Sequence, residues 1–340
     1  MSSRPKYIIG NYLTVNIDRK FCVAPMLDWT DRHCRYFLRL ISKHTVLYSE
    51  MITTGAILHG DTIRHLDMNA REQPVALQLG GSNPKDLALA CKLAGDYAYS
   101  EINLNCGCPS DRVQNGMFGA VMMKNTQITA DCVEAMVEST DLPVTVKHRI
   151  GVDDFDSYDF LCKFVDTVAK SGCSTFLVHA RKAWLKGLSP KQNREVPELN
   201  YERVYQLKND FPELEFIING GISNLDESLA HLKKIDGVMI GREAYANPYM
   251  LSEVDRIIYG DDKPPKTRQK IAEEFVNYID NELSKGVKLS AMTRHILGLY
   301  HGMPGARQFR RHISENAHKP GANIDVVINA LKFTSGAKNI

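Results

Sequence analysis

The chain reads Glu101-Ile102-Asn103-Leu104-Asn105-Cys106-Gly107-Cys108-Pro109-Ser110 at the point that decides its fold. Apolar and polar residues alternate from Ile102 to Asn105, which is typical of a β-strand with one apolar and one polar face. The glycine and the proline that follow predict a loop, and Cys108 lies in that loop. In parallel α/β proteins, ligands bind at the carboxyl ends of the strands. We therefore expect Cys108 to be an acid or a nucleophile, with Asn105 beside it.

Similar β-rich segments recur along the chain, with amphipathic helical patterns between them. The eight predicted strands are Cys22–Ala24, Leu47–Ser49, Val75–Leu79, Glu101–Leu104, Val144–Lys147, Thr175–His179, Glu215–Asn219 and Gly237–Ile240. The predicted helices between them are Asp31–Ile41, Pro84–Ala94, Thr129–Glu138, Phe155–Ser171, Tyr201–Phe211 and Asn224–Lys234. This alternation matches a (β/α)8 TIM barrel in number and size. A doubly wound open sheet is the alternative, but no Gly-x-Gly-x-x-Gly turn follows any of the strands.

Composition sets the broad class of the protein. The chain has 340 residues, of which 44% are hydrophobic and 24% charged, as in an ordinary soluble globular protein. The sequence contains no run of about 18 apolar residues, so a membrane span is not predicted. Residues 1–10 lack the charged and then apolar pattern of an export signal. The eight cysteines are scattered through apolar segments, which indicates reduced thiols rather than a disulfide framework. We therefore expect a cytoplasmic protein, and nothing in the sequence demands an obligate protein partner, so we expect a monomer.

The C-terminal part of the chain differs from the rest in charge and in pattern. Residues 261–340 carry 13 Lys and Arg against 8 Asp and Glu, which leaves 29 against 32 for residues 1–260 from totals of 42 and 40. Turn residues and prolines at Tyr259–Pro265 predict a linker. The helical patterns after it are Thr267–Leu283, Ser290–Tyr300, Ala306–Ser314 and Ile324–Leu331. The basic charge indicates an anionic partner such as nucleic acid, although a solvated helical appendage would show the same charge.

These patterns predict three parts of the chain. Residues 1–20 form an N-terminal extension, residues 21–258 the barrel, and residues 265–335 a small all-helical domain.

The ends of the first, third and fifth predicted strands carry side chains suited to a planar cofactor. Pro25 stops the first strand, and Met26 and Leu27 follow it, the methionine offering a soft apolar contact to a ring. Gln78 has a carboxamide that can pair with the imide edge of a flavin or a pyrimidine. Lys147 supplies a cation that can stabilise negative charge on a reduced ring. We expect all of them at one cofactor site.

The ends of the last strands predict where a phosphate binds. Barrel enzymes often hold phosphate with the loops after strands seven and eight, where bare glycine backbones let amides approach the oxygens. The chain has Asn219-Gly220-Gly221 and Gly241-Arg242 at these two places, and an arginine adds a bidentate fork. Together, these strand ends predict a phosphorylated planar cofactor across the barrel mouth, and FMN is such a cofactor. A metal is not expected, because the two cysteines of Cys106-Gly107-Cys108 have no second pair at ligand spacing.

Eight short motifs of the chain occur together in one protein family, five of them as general motifs and three in one subfamily. The general motifs are Ala24-Pro25-Met26, Asn105-x-Gly107-Cys108-Pro109, Val146-Lys147-x-Arg149, His179-Ala180-Arg181 and Asn219-Gly220-Gly221. The subfamily motifs are Asp28-Trp29-Thr30-Asp31-Arg32-His33, Leu188-Ser189-Pro190-Lys191-Gln192-Asn193-Arg194 and Gly302-Met303-Pro304-Gly305-Ala306-Arg307. By these motifs the chain resembles the tRNA-dihydrouridine synthases, and within them the A subfamily of bacterial type. The resemblance covers nearly the whole chain, with the motifs in the same order.

The resemblance implies an FMN-dependent barrel that reduces the C5–C6 bond of uridine at positions 20 and 20a of the tRNA D-loop, with NADPH as reductant. It implies hydride transfer from flavin N5 to uracil C6 and a proton from Cys108 to C5, a role suited to a thiol that is mostly protonated at neutral pH. Asn105 should orient the uracil, and His179 should touch the cofactor on its phosphate side. The residues expected to hold tRNA are Arg149, Arg181, Lys191, Arg194, Arg307, Arg310 and Arg311.

Two alternatives remain open from the residues alone. One is an FMN oxidoreductase acting on a free pyrimidine or an enone, which would not need a basic helical domain. The other is an RNA-binding protein without catalysis, for which Cys108, Lys147 and His179 would have no use.

Overall fold

The structure, a computed structural model, describes residues 17–334 and contains all eight predicted strands. The strands are β1 Phe21–Val23, β2 Val46–Thr53, β3 Val75–Gly80, β4 Glu101–Cys106, β5 Val144–Arg149, β6 Thr175–His179, β7 Glu215–Asn219 and β8 Gly237–Ile240. Each strand pairs in parallel with the next, and β8 pairs with β1, so the sheet closes. The prediction of a (β/α)8 barrel is confirmed.

Alternation along the strands decides which side chains fill the barrel. An apolar group inside the barrel comes mainly from β1, β2, β6, β7 and β8, namely Ile17, Cys22, Ala24, Val46, Tyr48, Ala76, Leu177, Ile217 and Met239. Ile102, Leu104 and Cys106 of β4 instead belong to the larger core between the sheet and the helices. Asn103 and Asn105 occupy the opposite face of β4 and are buried inside the barrel.

Helices follow the strands in the expected order, and several shorter ones were not predicted. They are α1 Arg32–Ile41, α2 Thr54–His59, α3 Thr62–Leu66, α4 Pro84–Ala94, α5 Asp111–Asn115, α6 Thr126–Val137, α7 Tyr158–Lys170, α8 Tyr201–Asp210, α9 Leu225–Leu232, α10 Arg242–Ala246, α11 Val254–Ile257, α12 Arg268–Ser284, α13 Leu289–Thr293, α14 Ala306–Asn316 and α15 Asp325–Leu331. Side-chain caps begin most of the longer ones, although α14 begins after Gly305 without one. Asn83 accepts from two backbone N–H groups of α4, with Pro84 in the first turn. The prediction of a helix over Ser290–Tyr300 is wrong beyond Thr293, after which the chain continues in turns.

The C-terminal helices pack against the barrel through α1. Tyr278 of α12 stacks on Tyr36 with ring centroids 3.9 Å apart, and its hydroxyl lies 2.6 Å from His33 Nδ1. Phe275 packs against Phe37 at 5.0 Å between centroids. One continuous apolar core therefore includes the barrel helices and the C-terminal helices. The domain limits 21–258 and 265–335 stay predictions, and most of the predicted extension 1–20, like residue 335, lies outside the described residues.

Three further features bear on the class of protein. None of the helices within residues 17–334 is long and apolar enough to cross a membrane. All eight cysteines lie in this range and none forms a disulfide. The described part of the chain also has no group of three or more His, Cys, Asp or Glu side chains that could hold a metal ion.

Candidate active site at the mouth of the barrel

The loop after β4 holds Cys108 in place by its backbone. Asn105 Oδ1 accepts hydrogen bonds from the N–H groups of Gly107 at 3.1 Å and Cys108 at 3.0 Å. The Cys108 carbonyl accepts from Ala120 N at 2.9 Å, and Arg149 Nε donates to the Gly107 carbonyl at 2.9 Å. The Cys108 peptide is thus held on both sides, and its half-buried thiol lies 3.5 Å from Ser110 Oγ. The expectation that Asn105 lies beside Cys108 is confirmed.

The two cysteines of this loop differ in environment. Cys106 is fully buried outside the barrel wall, and burial raises the pKa of its thiol well above the ordinary value. Cys108 faces the mouth side of the loop and is partly accessible. Cys106 therefore serves as an apolar filler, and Cys108 is the thiol available for chemistry.

Lys147 points from β5 into the upper part of the barrel and contacts the end of β7. Its Nζ donates to Asn219 Oδ1 at 3.1 Å, and Asn219 Nδ2 donates to the Met239 carbonyl at 2.7 Å. Burial, and secondarily the Arg149 guanidinium, lower the pKa of Lys147 to about 7. A lysine in this state can take up a proton when an anionic group binds next to it.

His179 and the glycine pair after β7 form the adjoining side of the mouth. A Cβ at Gly220, whose φ is +120°, would lie 2.7 Å from His179 Cδ2, and only glycine allows this approach. Gly221 also has a positive φ of +74°. Burial and the neighbouring cations, Arg149 and Lys147 foremost, hold the pKa of His179 well below its usual value. His179 is therefore neutral in a strongly electropositive place.

Two arginines that were predicted as site residues, Arg181 and Arg242, bind the loop between β6 and α8. Arg242 NH1 forms an ion pair with Glu195 Oε1 at 2.6 Å, with both side chains nearly half exposed. Arg181 NH1 donates to the backbone carbonyls of Glu195 and Pro197. Arg181 Nε is buried and has no hydrogen-bond partner among the described residues. The two guanidinium groups thus meet at Glu195, Arg242 at its carboxylate and Arg181 at its backbone carbonyl.

The end of β1 lies next to the end of β8. Pro25 and Met26 are partly exposed, and Leu27 is 63% exposed. A Cβ at Gly241 would lie 3.8 Å from Met26 Sδ, so the two strand ends are neighbours. Gln78 is only 1% exposed, and its carboxamide bonds to two asparagines of β4.

The residues predicted to hold tRNA fall into two places. Arg149 is buried, and besides the Gly107 carbonyl its guanidinium donates to the carbonyls of Lys182 and Asn193. Lys191 and Arg194 are exposed on the β6–α8 loop near the mouth. Arg307, Arg310 and Arg311 are exposed on α14, which packs on α15. No contact within residues 17–334 joins these three arginines to the mouth.

The family model for dihydrouridine synthases matches residues 22–335 of this chain. The chain belongs to the dihydrouridine synthase family. It is similar to proteins named tRNA-dihydrouridine(20/20a) synthase: 61% identical to that of Vibrio cholerae over 92% of this chain and 95% of the relative. It is 60% identical to that of Escherichia coli K12, over 93% of this chain and 92% of the relative. It is 57% identical to that of Shewanella oneidensis, over 92% of this chain and 93% of the relative.

Solved structures support the fold alone. A morphinone reductase, 12% identical, gives a TM-score of 0.51 over 74% of this chain and 88% of its own. A 2-naphthoyl-CoA reductase, 10% identical, gives a TM-score of 0.53 over 69% of this chain and 49% of its own.

Reasoning from the sequence missed residues that shape the mouth of this family member. Glu195 was not singled out, although it pairs with Arg242. Asn193 is fully buried, and its carboxamide bonds to the backbone of Trp184 and Leu188, which holds the loop that carries Arg194. An asparagine inside a loop motif is a weak signal for such a role, because the same residue favours solvated turns.

A second missed group joins the β1–α1 loop to the C-terminal helices. Asp31 caps α1, forms an ion pair with Arg294, and lies within hydrogen-bond distance of His295, whose Nε2 is 3.0 Å from Asp31 Oδ1. Trp29 stacks on Tyr245 at 4.5 Å, and Tyr245 packs edge-on against His295. The mouth loop and the helical part of the chain are thereby one connected structure.

Proposed function

We propose that this protein reduces uridine in tRNA to 5,6-dihydrouridine, at positions 20 and 20a of the D-loop. The observation that carries the proposal is the 60% identity, over more than nine-tenths of both chains, to a protein named tRNA-dihydrouridine(20/20a) synthase. The partly accessible thiol at the mouth supports it, because the reaction needs an acid at that place. The barrel fold alone would not support this proposal, since barrels of this shape serve many reactions.

The residues of the mouth fit FMN. Its cations, Lys147, Arg149, Arg181, Arg194 and Arg242, suit an anionic phosphate, and Arg181 keeps a buried Nε without a partner in residues 17–334. We propose that the glycines after β7 and β8, with Arg242 and His179, hold the phosphate. We further propose that Met26 lies against the ring and Lys147 at its polar edge. When bound, FMN supplies the hydride that is added to uracil C6, and NADPH supplies the electrons.

We propose that Cys108 supplies the proton. Its S–H bond breaks as the C5–H bond of the product forms, and this leaves a thiolate. Three cations interact electrostatically with Cys108, namely Lys147, Arg149 and Arg194. They would stabilise the thiolate until it is reprotonated. Asn105 uses its oxygen on the Cys108 loop, so any contact to uracil would come from its nitrogen, which carries two protons and gives one to Gln78.

Mapping of the product tests the proposal. Unmodified tRNA transcripts are incubated with FMN-loaded protein and NADPH, and dihydrouridine is located by mass spectrometry of nuclease fragments. We expect the mass increase of two hydrogens at positions 20 and 20a. A control transcript with cytidine at both positions should show no mass increase. Reduction of free uridine at a comparable rate, or no mass increase in any tRNA, would contradict the proposal. The first result would favour the free-pyrimidine oxidoreductase.

We propose that α14 contacts the tRNA backbone. Changing Arg307, Arg310 and Arg311 to Ala should raise KM for tRNA and reduce the log–log salt slope by about one unit for each lost phosphate contact at most. NADPH oxidation should not change. The matched control changes three exposed cations in or beside α12, namely Lys266, Lys270 and Lys285, to Ala. Equal salt slopes for wild type and the α14 variant would make α14 a solvated helix.

A further inference from the structure

A column of buried polar side chains crosses the barrel from its floor to the loop of Cys108. At the floor, Glu101 accepts hydrogen bonds from Arg19 Nε at 2.7 Å, Tyr48 Oη at 2.7 Å and Thr145 Oγ1 at 2.5 Å. Glu101, Tyr48 and Thr145 are fully buried, and Arg19 is 8% exposed. These contacts lie at the end of the barrel opposite the mouth.

The column continues upward through three carboxamides. Asn103 Nδ2 donates to Thr145 Oγ1, Gln78 Nε2 donates to Asn103 Oδ1, and Asn105 Nδ2 donates to Gln78 Oε1, each at 2.8 Å. Asn105 Oδ1 then accepts from the Cys108 N–H. We call Glu101, Thr145, Asn103, Gln78 and Asn105 the polar column.

The carboxylate at the floor fixes the direction of every hydrogen bond above it. A carboxylate only accepts, so the Thr145 hydroxyl gives its single proton to Glu101 and can only accept from above. Asn103 must therefore turn its nitrogen toward Thr145 and its oxygen upward. Gln78 then has to donate to that oxygen, which leaves its own oxygen facing Asn105.

The same constraint reaches the loop. With the Gln78 oxygen above, Asn105 must direct its nitrogen down and its oxygen toward the N–H groups of Gly107 and Cys108. No member of the polar column is more than 9% exposed. A reversed carboxamide would set two donors or two acceptors against each other away from water, so one orientation is strongly favoured.

We propose that Asn103 and Thr145 are positioning residues for Cys108, acting through Gln78 and Asn105 to hold the loop in one conformation. Neither residue reaches the mouth, and neither touches the thiol. The proposal rests on the proposed function only where it calls Cys108 the proton donor, because the geometry of the column is independent of the reaction.

Thr145→Val tests the column at its lower joint, since it keeps the shape of the side chain and removes the hydroxyl. Hydrogen–deuterium exchange of the peptide over residues 106–118 should rise at the Gly107 and Cys108 amides by about tenfold, because Asn103 and the carboxamides above it lose their fixed direction. The kcat for dihydrouridine formation should fall by about 10- to 100-fold, as a displacement of roughly 1 Å would cause. KM for tRNA should stay within about twofold if tRNA contacts are untouched.

Two variants separate positioning from general loss of stability. Thr145→Ser keeps the hydroxyl and should restore both the protection of the loop and kcat. Thr175→Val is the matched control, because the Thr175 hydroxyl also donates to a carboxylate of the barrel floor, that of Glu215, at 2.8 Å but lies outside the polar column. Unchanged loop exchange in Thr145→Val, or equal loosening in Thr175→Val, would overturn the proposal.

The wild-type protein gives a test that needs no variant. In amide-resolved NMR the side-chain NH2 protons of Gln78 and Asn103 should exchange far more slowly than those of the exposed Gln192. Rapid exchange would refute the column even if Thr145→Val failed to fold. If instead Cys108→Ala kept full activity while Thr145→Val still loosened the loop, the proposed proton donor would be wrong and the positioning would stand.

Discussion

Gly119 is the position where a single methyl group should displace the loop that carries Cys108. Its φ is +74°, and a Cβ there would lie 2.5 Å from the Cys108 carbonyl oxygen and 2.4 Å from Val113 Cγ1. Gly187 offers a matched control, because its φ is +82° and a Cβ there would meet nothing within 4 Å. Both alanine variants carry the left-handed backbone strain of about 1–2 kcal/mol. Only Gly119→Ala adds the steric conflict.

The displacement follows from the contact distance. Ordinary contacts of a Cβ begin at 3.4 Å, so the Cys108 carbonyl must retreat by about 0.9 Å, and a shift of roughly 1 Å at a reacting group costs about 100-fold in rate. We expect Gly119→Ala to lower single-turnover dihydrouridine formation at saturating tRNA by about 10- to 100-fold. Gly187→Ala should stay within about twofold of wild type.

Both variants are compared by urea unfolding and by the rate at which the tRNA gains two hydrogens. Unfolding identifies any loss of rate that comes from unfolded protein. If Gly119→Ala turns over within twofold of Gly187→Ala while both remain folded, the position of the Cys108 carbonyl does not limit the reaction. The reasoning from the loop contacts would then be refuted.

Four further predictions concern the mouth. Cys108→Ala should keep FMN bound and reducible by NADPH, while dihydrouridine formation falls by about 10²–10⁴-fold; unimpaired product in a mass assay would remove the thiol from the mechanism. Because the pKa of Lys147 is lowered to about 7, its binding to an anionic edge takes up a proton above that pH. FMN affinity measured by fluorescence quenching should therefore fall by up to about tenfold per pH unit between pH 7 and 9, and a flat profile in wild type, or the same fall in Lys147→Met, would contradict it. The same lowered pKa makes the free energy of unfolding of the FMN-free protein rise between about pH 7 and pH 10. In this window Lys147 has lost its proton in the folded protein, whereas in the unfolded chain it keeps it. Glu195→Gln frees the Arg242 guanidinium from its ion pair, so titration with inorganic phosphate or FMN should show tighter binding, by up to about fivefold for an exposed pair, and weaker binding would show that the pair shapes the site.

Most strands could be predicted because the barrel buries both of their faces, which gives short apolar runs between turn residues. Thr175–His179, Glu215–Asn219 and Gly237–Ile240 have the predicted bounds, since each is flanked by turn residues and faces the interior on one side and the helices on the other. The second strand runs to Thr53, four residues beyond the prediction, because Met51–Thr53 pair with β3 after a register shift that follows Tyr48. Residues 50–53 are only partly buried, and the register shift interrupts any alternation signal.

The short helices could not be predicted for a different reason. α2, α3, α5, α10 and α11 have four to six residues each. Fewer than two turns show too little of the 3.6-residue period to be distinguished from a loop, and tertiary packing rather than propensity decides whether they form.

Arg149 shows where reasoning from the sequence about the site ends. An arginine at a strand end indicates an anion site, and that role for Arg149 stays a prediction. The structure shows its guanidinium donating to three backbone carbonyls, those of Gly107, Lys182 and Asn193. These partners come from two loops that meet only when the barrel closes. A side chain's residue type gives its capacity for hydrogen bonds, but the fold chooses the partners.

The polar column explains why the interior of this barrel is divided. Apolar side chains such as Tyr48, Leu177 and Ile217 fill one part of the interior, whereas carboxamides from β3 and β4 fill another. An apolar interior throughout would cost nothing in desolvation, but it could not fix the direction of a carboxamide. The sequence already showed this division in the asparagines that alternate with Ile102 and Leu104. What it could not show is that their hydrogen bonds all run from the mouth down to one carboxylate, because that direction depends on Arg19 and Glu101 meeting at the floor.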